Sequence, residues 1–402
     1  MRTLAVLGGA PAFSEPLHVG RPSVLRPHRV LELIGGALDR RVLTHGGPLL
    51  REFERAVAAV AGVAHCVATC NATVAMQLLV RALGLRGEVV MPSWTFIATA
   101  HALQWEGLTP VFCDVDPRTG NLDPRSVAEL ITPRTSAIAA VHMWGVPAPA
   151  PQLTSLAREH GLRLYFDSAH AIASRCDGRP VGGHGAAEVF SFHATKLVNA
   201  FEGGAVVTGD GDLAERVRAM RDYGRNGDGT VGMLGLNAKM TEPSAAMGLA
   251  SLEDLDELLA LHRERHEHYA AGLCGVPGVR LRDPAPLESN RSYVVVEVDP
   301  EAAGLTRDEL RAVLHAENVL ARDHFHPGCH RSEPYRRAPR RHTPRSLTAT
   351  EALSERVLVL PTGTSLRNED AGRVCEVIGE AVRRAPAVRA WASSRTPAAP
   401  HR

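Results

Sequence analysis

Lysine is almost absent from this chain, and its scarcity directs attention to the positions that keep it. The 45 basic residues include only two lysines, Lys196 and Lys239. An arginine guanidinium supplies charge but stays protonated, whereas a lysine amine shifts its pKa readily and condenses with carbonyl groups. A retained lysine is therefore either a covalent catalyst or a chance survivor on a solvated surface, and the neighbours of Lys196 favour the first.

Those neighbours suggest a cofactor. Lys196 lies between the apolar stretch 186–190 and the β-branched run 205–208, which predicts a turn between two strands. Another short strand, 162–166, ends at Asp167, and ligands bind at the carboxyl ends of such strands. Pyridoxal phosphate needs a lysine for a Schiff base and an acid that keeps its pyridine nitrogen protonated. Lys196 and Asp167 match both requirements.

A phosphate site is predicted upstream. Residues 65–69 form a short apolar strand, Asn71-Ala72-Thr73 form a turn, and a helical periodicity starts at Val74. Backbone amides at that helix N-terminus and the Thr73 hydroxyl would face an anion. Asn and Thr also cap ordinary helices for the same reason, so a plain N-cap remains open.

An aromatic residue follows the next predicted strand, 89–91. Trp94 comes three residues after this strand and could stack on a pyridine ring. The alternative is a tryptophan buried in the core, because large aromatic side chains contribute strongly to packing.

With these motifs in place, the chain resembles the DegT/StrS family of pyridoxal-phosphate aminotransferases, best known for aminating nucleotide-linked keto-sugars. The resemblance covers most of the chain. It includes the segments 46–48, 92–96, 114–116, 167–170, 191–196, 202–204 and 235–240.

The resemblance implies a role for each matching residue. Lys196 would carry the Schiff base, Asp167 would pair with the pyridine nitrogen, and His170 would lie near the ring hydroxyl. Further cofactor contacts are implied for Trp94 in stacking, for Ala72, Thr73 and Ser191 at the phosphate, and for Asn237 at the phosphate of a neighbouring subunit. Asn71 and His193 depart from common family patterns. Members with histidine at the Lys196 position act as dehydratases, so lysine favours transamination.

The fold implied by the resemblance is α/β of fold type I, with a smaller α+β C-terminal domain. Strands alternate with helical patterns from about residue 60 to 208, which predicts a mostly parallel sheet with helices on both faces. We expect an N-terminal segment and large cofactor-binding domain at 1–255, and a small domain at 256–384. The tail, 385–402, is rich in Ala, Pro, Ser and Arg and is expected to be disordered.

Composition excludes several classes. A net charge of +1 predicts no nucleic-acid partner, and the apolar runs are too short for a membrane span. The N-terminus lacks the pattern of a signal peptide. Seven cysteines without CxxC spacing predict free thiols and a cytoplasmic protein.

Other motifs carry weaker signals. The G-x-G-x-x-G pattern at 227–232 is interpreted as a loop, because it does not join a strand to a helix. His262, His266 and His268 predict a solvated helix face, and no metal site is expected. His326, in a histidine-rich loop, and Tyr223 are predicted to contact substrate. An arginine cluster at 331–345 would either bind a diphosphate or remain a solvated charge run.

The predicted function is transfer of an amino group from glutamate or glutamine to a nucleotide-linked keto-sugar by a homodimer with shared active sites. Three alternatives remain open. The acceptor could be a keto-cyclitol, the reaction could be a dehydration or aromatisation, or the chain could be a regulator that only binds the cofactor.

Overall fold

The computed structural model describes residues 3–285, 288–343 and 345–394. Its strands are β1 Leu17–His18, β2 His65–Thr69, β3 Glu88–Pro92, β4 Thr109–Cys113, β5 Thr135–Val141, β6 Arg163–Asp167, β7 Arg175–Cys176, β8 Arg179–Pro180, β9 Ala187–Ser191, β10 Gly204–Thr208, β11 Val279–Leu281, β12 Val294–Val298, β13 Val319–Leu320 and β14 Val357–Leu360. Its α-helices are α1 Pro27–Arg40, α2 Pro48–Ala61, α3 Ala72–Ala82, α4 Ile97–Trp105, α5 Pro124–Ala128, α6 Ala150–Glu159, α7 Gly211–Arg221, α8 Glu242–Glu253, α9 Leu255–Leu273, α10 Pro300–Ala303, α11 Arg307–Ala316, α12 Glu333–Arg336, α13 Pro339–His342, α14 Thr348–Arg356, α15 Asn368–Arg383 and α16 Ala385–Ser393.

A seven-stranded sheet forms the centre of the larger part of the molecule. Its strand order is β2-β10-β9-β6-β5-β3-β4. β3, β4, β5, β6 and β9 pair in parallel, whereas β10 is antiparallel to both of its neighbours. The prediction of a mostly parallel sheet with helices is confirmed.

Burial on both faces explains why these strands are continuous apolar runs. In β3, Val89 and Met91 pack in the cluster that contains α3, α4 and α7. Val90, between them, packs on the opposite face with residues of α5 and α6. Because side chains alternate along a strand, a sheet covered on both sides needs apolar residues at every position.

The carboxyl ends of the parallel strands meet at one edge of the sheet. β6 ends at Asp167 and β9 at Ser191, while antiparallel β10 begins at the same edge with Gly204. The start of α3 lies directly against that glycine, because a Cβ added to Gly204 would be 2.4 Å from the amide nitrogen of Ala72. A side chain at this position would therefore displace the helix N-terminus.

A second sheet, β11-β12-β14, is antiparallel and shares a core with α9, α11 and α15. Residues from the N-terminus complete this core. Leu4 and Phe13 are buried in it, and β1 pairs with β13. The N-terminal segment was predicted to belong to the larger domain, because its few apolar residues do not reveal that Leu17 pairs with Val319. The domain division itself stays a prediction.

The expected disordered tail begins instead as a helix. α16 packs against α11 and α15, and its Ala385 and Val388 are buried in the core of the second sheet. The expectation of disorder is wrong for 385–393, because two apolar contacts hold a segment whose composition is otherwise typical of disorder. Residues 395–402 lie outside the described part of the chain.

No helix among the described residues combines the length and the apolar character that crossing a bilayer would require. All seven cysteines are free thiols.

Candidate active site

A cavity of about 630 Å³ opens at the carboxyl edge of the central sheet. Most of the residues predicted to form the site line it together, namely Ala72, Thr73, Asp167, His170, Ser191 and Lys196. They come from three segments, 72–73, 167–170 and 191–196, so the fold has brought distant motifs to one place.

Lys196 lies on the turn that follows β9, with its backbone amide donating to the carbonyl of His193 at 2.8 Å. Its side chain is half-buried, and Nζ donates to the Tyr293 hydroxyl at 3.1 Å. The amine is thus held inside the cavity by a neutral partner rather than neutralised by a carboxylate.

Asp167, at the end of β6, is 5% exposed. Its Oδ2 accepts from the Thr99 hydroxyl at 2.7 Å, and Oδ1 accepts from the Ala169 amide at 3.1 Å. Burial raises the pKa of Asp167, although these hydrogen bonds and the Lys196 ammonium act in the opposite direction. Among the described residues, no cation forms an ion pair with this carboxylate, so a cationic ligand group would find a ready partner.

A second buried acid, Glu188, lies next to the end of β6. Glu188 accepts from the Ser168 hydroxyl at 2.5 Å and from the amides of Gly182 and His184. His142 approaches it to 3.4 Å and accepts the Ala148 amide at Nδ1, which leaves the proton on Nε2 facing Glu188. Burial would raise the pKa of Glu188, but these donors outweigh it and lower the pKa. The network holds Ser168, the residue that follows Asp167.

His170 is a neutral imidazole. Burial lowers its pKa well below the ordinary value, and the charges of Lys196 and His324 lower it further. Its Nδ1 accepts the Trp144 amide at 3.3 Å, so Nε2 carries the proton. The ring lies 4.7 Å from that of Tyr293 and stacks on Phe325 at 6.1 Å.

Another part of the cavity wall suits an anion. The Asn71 side chain caps α3 by accepting the Val74 amide at 2.9 Å. Ala72 and Thr73, whose amides come before Val74 and have no partner within the helix, line the cavity. Ser191 adds a hydroxyl from the end of β9. The N-cap interpretation and the phosphate interpretation are therefore compatible, since Asn71 organises the amides that an anion would use.

The stacking role predicted for Trp94 is wrong. Trp94 is completely buried, packs edge-on against Trp144 at 5.0 Å and does not line the cavity. Phe96, two residues later, is 57% exposed and does line it. Among the aromatic residues after β3, Phe96 is the one placed to cover a ring.

Three further predicted residues lie away from the cavity of their own chain. Tyr223 is 47% exposed and stacks under Lys239, whose Nζ is 4.3 Å from the ring centre. His326 is exposed, with Nδ1 3.2 Å from the carbonyl of Ser354. Neither lines the cavity, so the structure does not support their predicted substrate contacts within one chain. Asn237 is also exposed and outside the cavity, so its role stays a prediction about a neighbour.

Sequence reasoning missed the part of the cavity wall that comes from the N-terminus and the second sheet. The added wall residues include His18, Arg21, Ser23, His262, Tyr293, Arg322 and Thr362. Long-range pairing brings these residues together, including that of β1 with β13 and that of β12 with β14. His324 and Phe325 belong to the histidine-rich loop, so this loop does reach the cavity, although His326 itself does not line it.

The other motifs resolve simply. Residues 227–232 form the predicted loop between α7 and α8. The described residues contain no cluster that could hold a metal. Arg331 pairs with Glu351, and Arg336 and Arg337 pair with Glu333, which favours a solvated charge run over a diphosphate site.

The prediction of a solvated histidine face on α9 is wrong at two of its three positions. His262 is 5% exposed and His266 is 4% exposed, while His268 is exposed. Burial and, to a smaller extent, the charge of Arg265 together lower the pKa of His262 to about 4.

Acid should therefore destabilise the protein through His262. The unfolded chain binds a proton near the ordinary pKa of 6.5, whereas the folded chain resists protonation down to about 4. The unfolding free energy contributed by this group falls as pH drops through that window, by roughly 2 kcal/mol between pH 7 and 5. Urea unfolding of wild type and His262→Phe at both pH values tests this. Equal losses in the two proteins would contradict it.

The residues fit pyridoxal phosphate. Asp167 is a buried carboxylate without a cationic partner among the described residues, helix amides and Ser191 suit a phosphate, and Lys196 supplies an amine. Together with the fold, this set defines a fold-type-I enzyme dependent on pyridoxal phosphate.

The chain belongs to the DegT/DnrJ/EryC1/StrS aminotransferase family, whose model matches residues 28–379. It is an aminotransferase. A dTDP-4-amino-4,6-dideoxy-D-glucose transaminase from Shigella dysenteriae is 34% identical over 316 residues, covering 78% of this chain and 86% of that protein. A dTDP-3-amino-3,4,6-trideoxy-alpha-D-glucose transaminase from Streptomyces venezuelae is 36% identical, covering 85% and 90%. The crystal structure of DesI with its TDP-sugar product is 52% identical, with a TM-score of 0.93 and coverage of 97% and 99%.

Proposed function

We propose that this enzyme transfers an amino group from glutamate or glutamine to a keto-6-deoxyhexose linked to dTDP. The single observation that carries the proposal is the 52% identity, over nearly the whole of both chains, to a protein crystallised with its TDP-sugar product. The two dTDP-sugar transaminases act on different ring positions, as their names state, and both concern 6-deoxy sugars.

The cavity residues divide the work. Bound pyridoxal phosphate supplies an electron sink for the proton transfer at the amino-bearing carbon. Lys196 moves the proton, and Tyr293, which accepts a hydrogen bond from its amine, orients it. Asp167 holds positive charge, and the N-terminus of α3 holds the phosphate. Phe96 and Phe325, whose ring centres are 6.2 Å apart, limit the access of water.

Two of the alternatives lack support from these residues. A dehydratase of the type mentioned above carries histidine at the position of Lys196, and a regulator that only binds the cofactor has no need of an amine held for proton transfer. Lys196, Asp167 and His170 all line one cavity, which favours turnover.

The test is incubation of the holoenzyme with glutamate and dTDP-linked 3-keto- and 4-keto-6-deoxyhexoses, followed by mass spectrometry and NMR of the products. We expect one of them to gain an amine, at a position that the NMR spectrum assigns. Conversion of keto-cyclitols, with no nucleotide sugar aminated, would overturn the proposal.

We also propose that the enzyme is a homodimer that shares its active sites. Large apolar side chains are exposed on α1, at Leu31 and Leu38, and next to Asn237, at Leu234 and Leu236. Exposed apolar surface of this kind marks protein interfaces. Burying it against a second copy would bring Asn237 towards the neighbour's phosphate site.

Complementation should therefore restore activity. In a heterodimer of Lys196→Ala and Asn237→Asp chains, one site would contain both lesions and the other neither, so roughly half of the wild-type activity should return. Differently tagged chains allow the heterodimer to be purified and assayed.

The control pairs Lys196→Ala with Asp167→Asn. These two residues line the same cavity of one chain, so each site of this heterodimer keeps one lesion and no recovery is expected. Absence of recovery in the Asn237 heterodimer, with the Asn237 variant inactive by itself, would show that Asn237 does not serve the neighbouring site.

A further inference from the structure

Two buried polar atoms in the cavity wall have no hydrogen-bond partner among the described residues. They are Nδ1 of His262 and Oγ1 of Thr362. Both residues line the cavity, and their side chains are almost fully buried, at 5% and 7% exposure. Buried polar groups are nearly always hydrogen-bonded, and an unpaired group carries a free-energy cost that needs a reason. Both atoms lie just beneath the cavity surface, so a ligand that enters the cavity would supply the missing partner once either side chain turns towards it.

The part of the wall that holds these atoms consists of α9 and the loop at 361–363, which contact each other directly. His262 lies on α9, and the hydroxyl of Tyr269 on the same helix donates to the carbonyl of Pro361 at 2.9 Å, next to Thr362. Gly363 then passes beside the imidazole, since a Cβ added there would be 3.8 Å from Cε1 of His262. The helix and the loop are thus fixed to each other before any ligand binds.

This part of the cavity is uncharged. Burial keeps His262 neutral at ordinary pH. Arg265 is the charged residue that acts on His262, and its Nε donates to the carbonyl of Leu366 at 2.6 Å. Lys196 lowers the pKa of His170 and of His324, whereas it does not contribute at His262. A neutral imidazole and a hydroxyl can each donate or accept, which suits a hydroxyl or an amide far better than a phosphate or a carboxylate.

We propose that His262 and Thr362 form a neutral subsite that binds a hydroxyl or imide group of the nucleotide-sugar acceptor. This inference rests on the proposed function, and it assigns the acceptor rather than the amino donor to this wall. The anionic parts of the substrate would lie elsewhere, near Arg21 and Arg322, which are exposed at the cavity. The subsite would thereby contribute to specificity without touching the reacting atoms.

Calorimetry on the holoenzyme with dTDP-glucose, which has no ketone to react, tests the subsite. The variants are Thr362→Val and His262→Phe, and His268→Phe is the matched control, because His268 is exposed on the same helix and does not line the cavity. We expect the Kd for dTDP-glucose to rise about five- to tenfold in each variant and to stay unchanged in the control. The rate of the half-reaction with glutamate should stay the same in the His268→Phe control.

A parallel titration with dTDP distinguishes the two sources of the neutral group. Loss of affinity for dTDP-glucose alone assigns the contact to a sugar hydroxyl, and equal loss for dTDP assigns it to the nucleoside. Unchanged Kd values in folded variants would overturn the proposal, most directly if Thr362→Val melts at a higher temperature because it has only lost an unpaired hydroxyl. If wild type binds dTDP-glucose but aminates no nucleotide sugar, the proposed reaction fails while the subsite stands.

Discussion

Lys196→Arg should lower turnover by roughly five orders of magnitude, the scale seen when an enzyme loses its covalent catalytic group. Arginine keeps the positive charge in the cavity and retains a hydrogen-bond donor for Tyr293. It cannot provide an amine that forms a Schiff base or exchanges a proton near neutral pH. The measurement is steady-state turnover with glutamate and the acceptor sugar, together with the absorbance of the bound cofactor.

The chain offers a matched control at its other lysine. Lys239 lies outside the cavity, where Nζ pairs with Asp222 at 2.7 Å and stacks on Tyr223. An arginine can make both contacts, so Lys239→Arg should keep activity within a few-fold of wild type. A comparable loss in both variants would show that the cavity lysine has no special role.

Covalent attachment gives a readout that does not depend on turnover. Borohydride reduction of the holoenzyme followed by peptide mapping should find a pyridoxyl group on Lys196 and none on Lys239. A holoenzyme in which the label maps to Lys239, or in which reduction leaves no label, would refute the assignment.

Lys196 and Asp167, two predicted site residues that lie together in the cavity, are residues whose type alone limits their role. Lys196 stood out because arginine could have replaced a lysine that supplied charge only. Asp167 stood out because an acid at the end of a buried strand lies at a sheet edge where ligands bind. Both inferences use the chemistry of one side chain and its position directly after a strand. In a parallel sheet that position is enough to place a residue at the ligand-binding edge.

Local reasoning failed after β3, where Phe96 rather than the predicted Trp94 lines the cavity. After β3 the chain leaves the strand at Pro92 and enters α4 at Ile97, so the alternation of a strand no longer predicts which side chain faces the cavity. Trp94 turns inward against Gly120, where an added Cβ would be 3.3 Å from the indole ring. That contact joins residues far apart in sequence, and no local pattern encodes it.

The second-sheet wall was missed for a related reason. Tyr293 contacts Lys196 across 97 positions, and His262 resembled part of a solvated helix face until α9 was seen to pack against α15. A histidine has the same polar appearance in a sequence whether water or a cavity surrounds it. Only the long-range packing decides which it is.

Asp167→Asn should separate stability from catalysis. Burial raises the pKa of Asp167, which means that folding disfavours its ionised form. In the cofactor-free protein this group therefore lowers the unfolding free energy as pH rises from the unfolded pKa towards the folded one, and the loss persists at neutral pH. Asparagine is neutral, and its oxygen can still accept from Thr99, although the bond from the Ala169 amide is lost. We expect these effects to offset each other and the melting temperature to stay within a few degrees of wild type.

Turnover of Asp167→Asn should nevertheless fall by roughly 10³-fold, because an amide cannot hold a proton on the pyridine nitrogen of the bound cofactor. Adding pyridoxal phosphate should also raise the melting temperature less than in wild type, since the charge that pairs with the ring is gone. The matched control is Asp177→Asn, an exposed turn residue at φ +50°, a conformation that asparagine adopts readily. Near wild-type turnover in a folded Asp167→Asn enzyme would mean that another group performs this role. A large fall in melting temperature before cofactor is added would mean that the carboxylate serves the fold rather than the reaction.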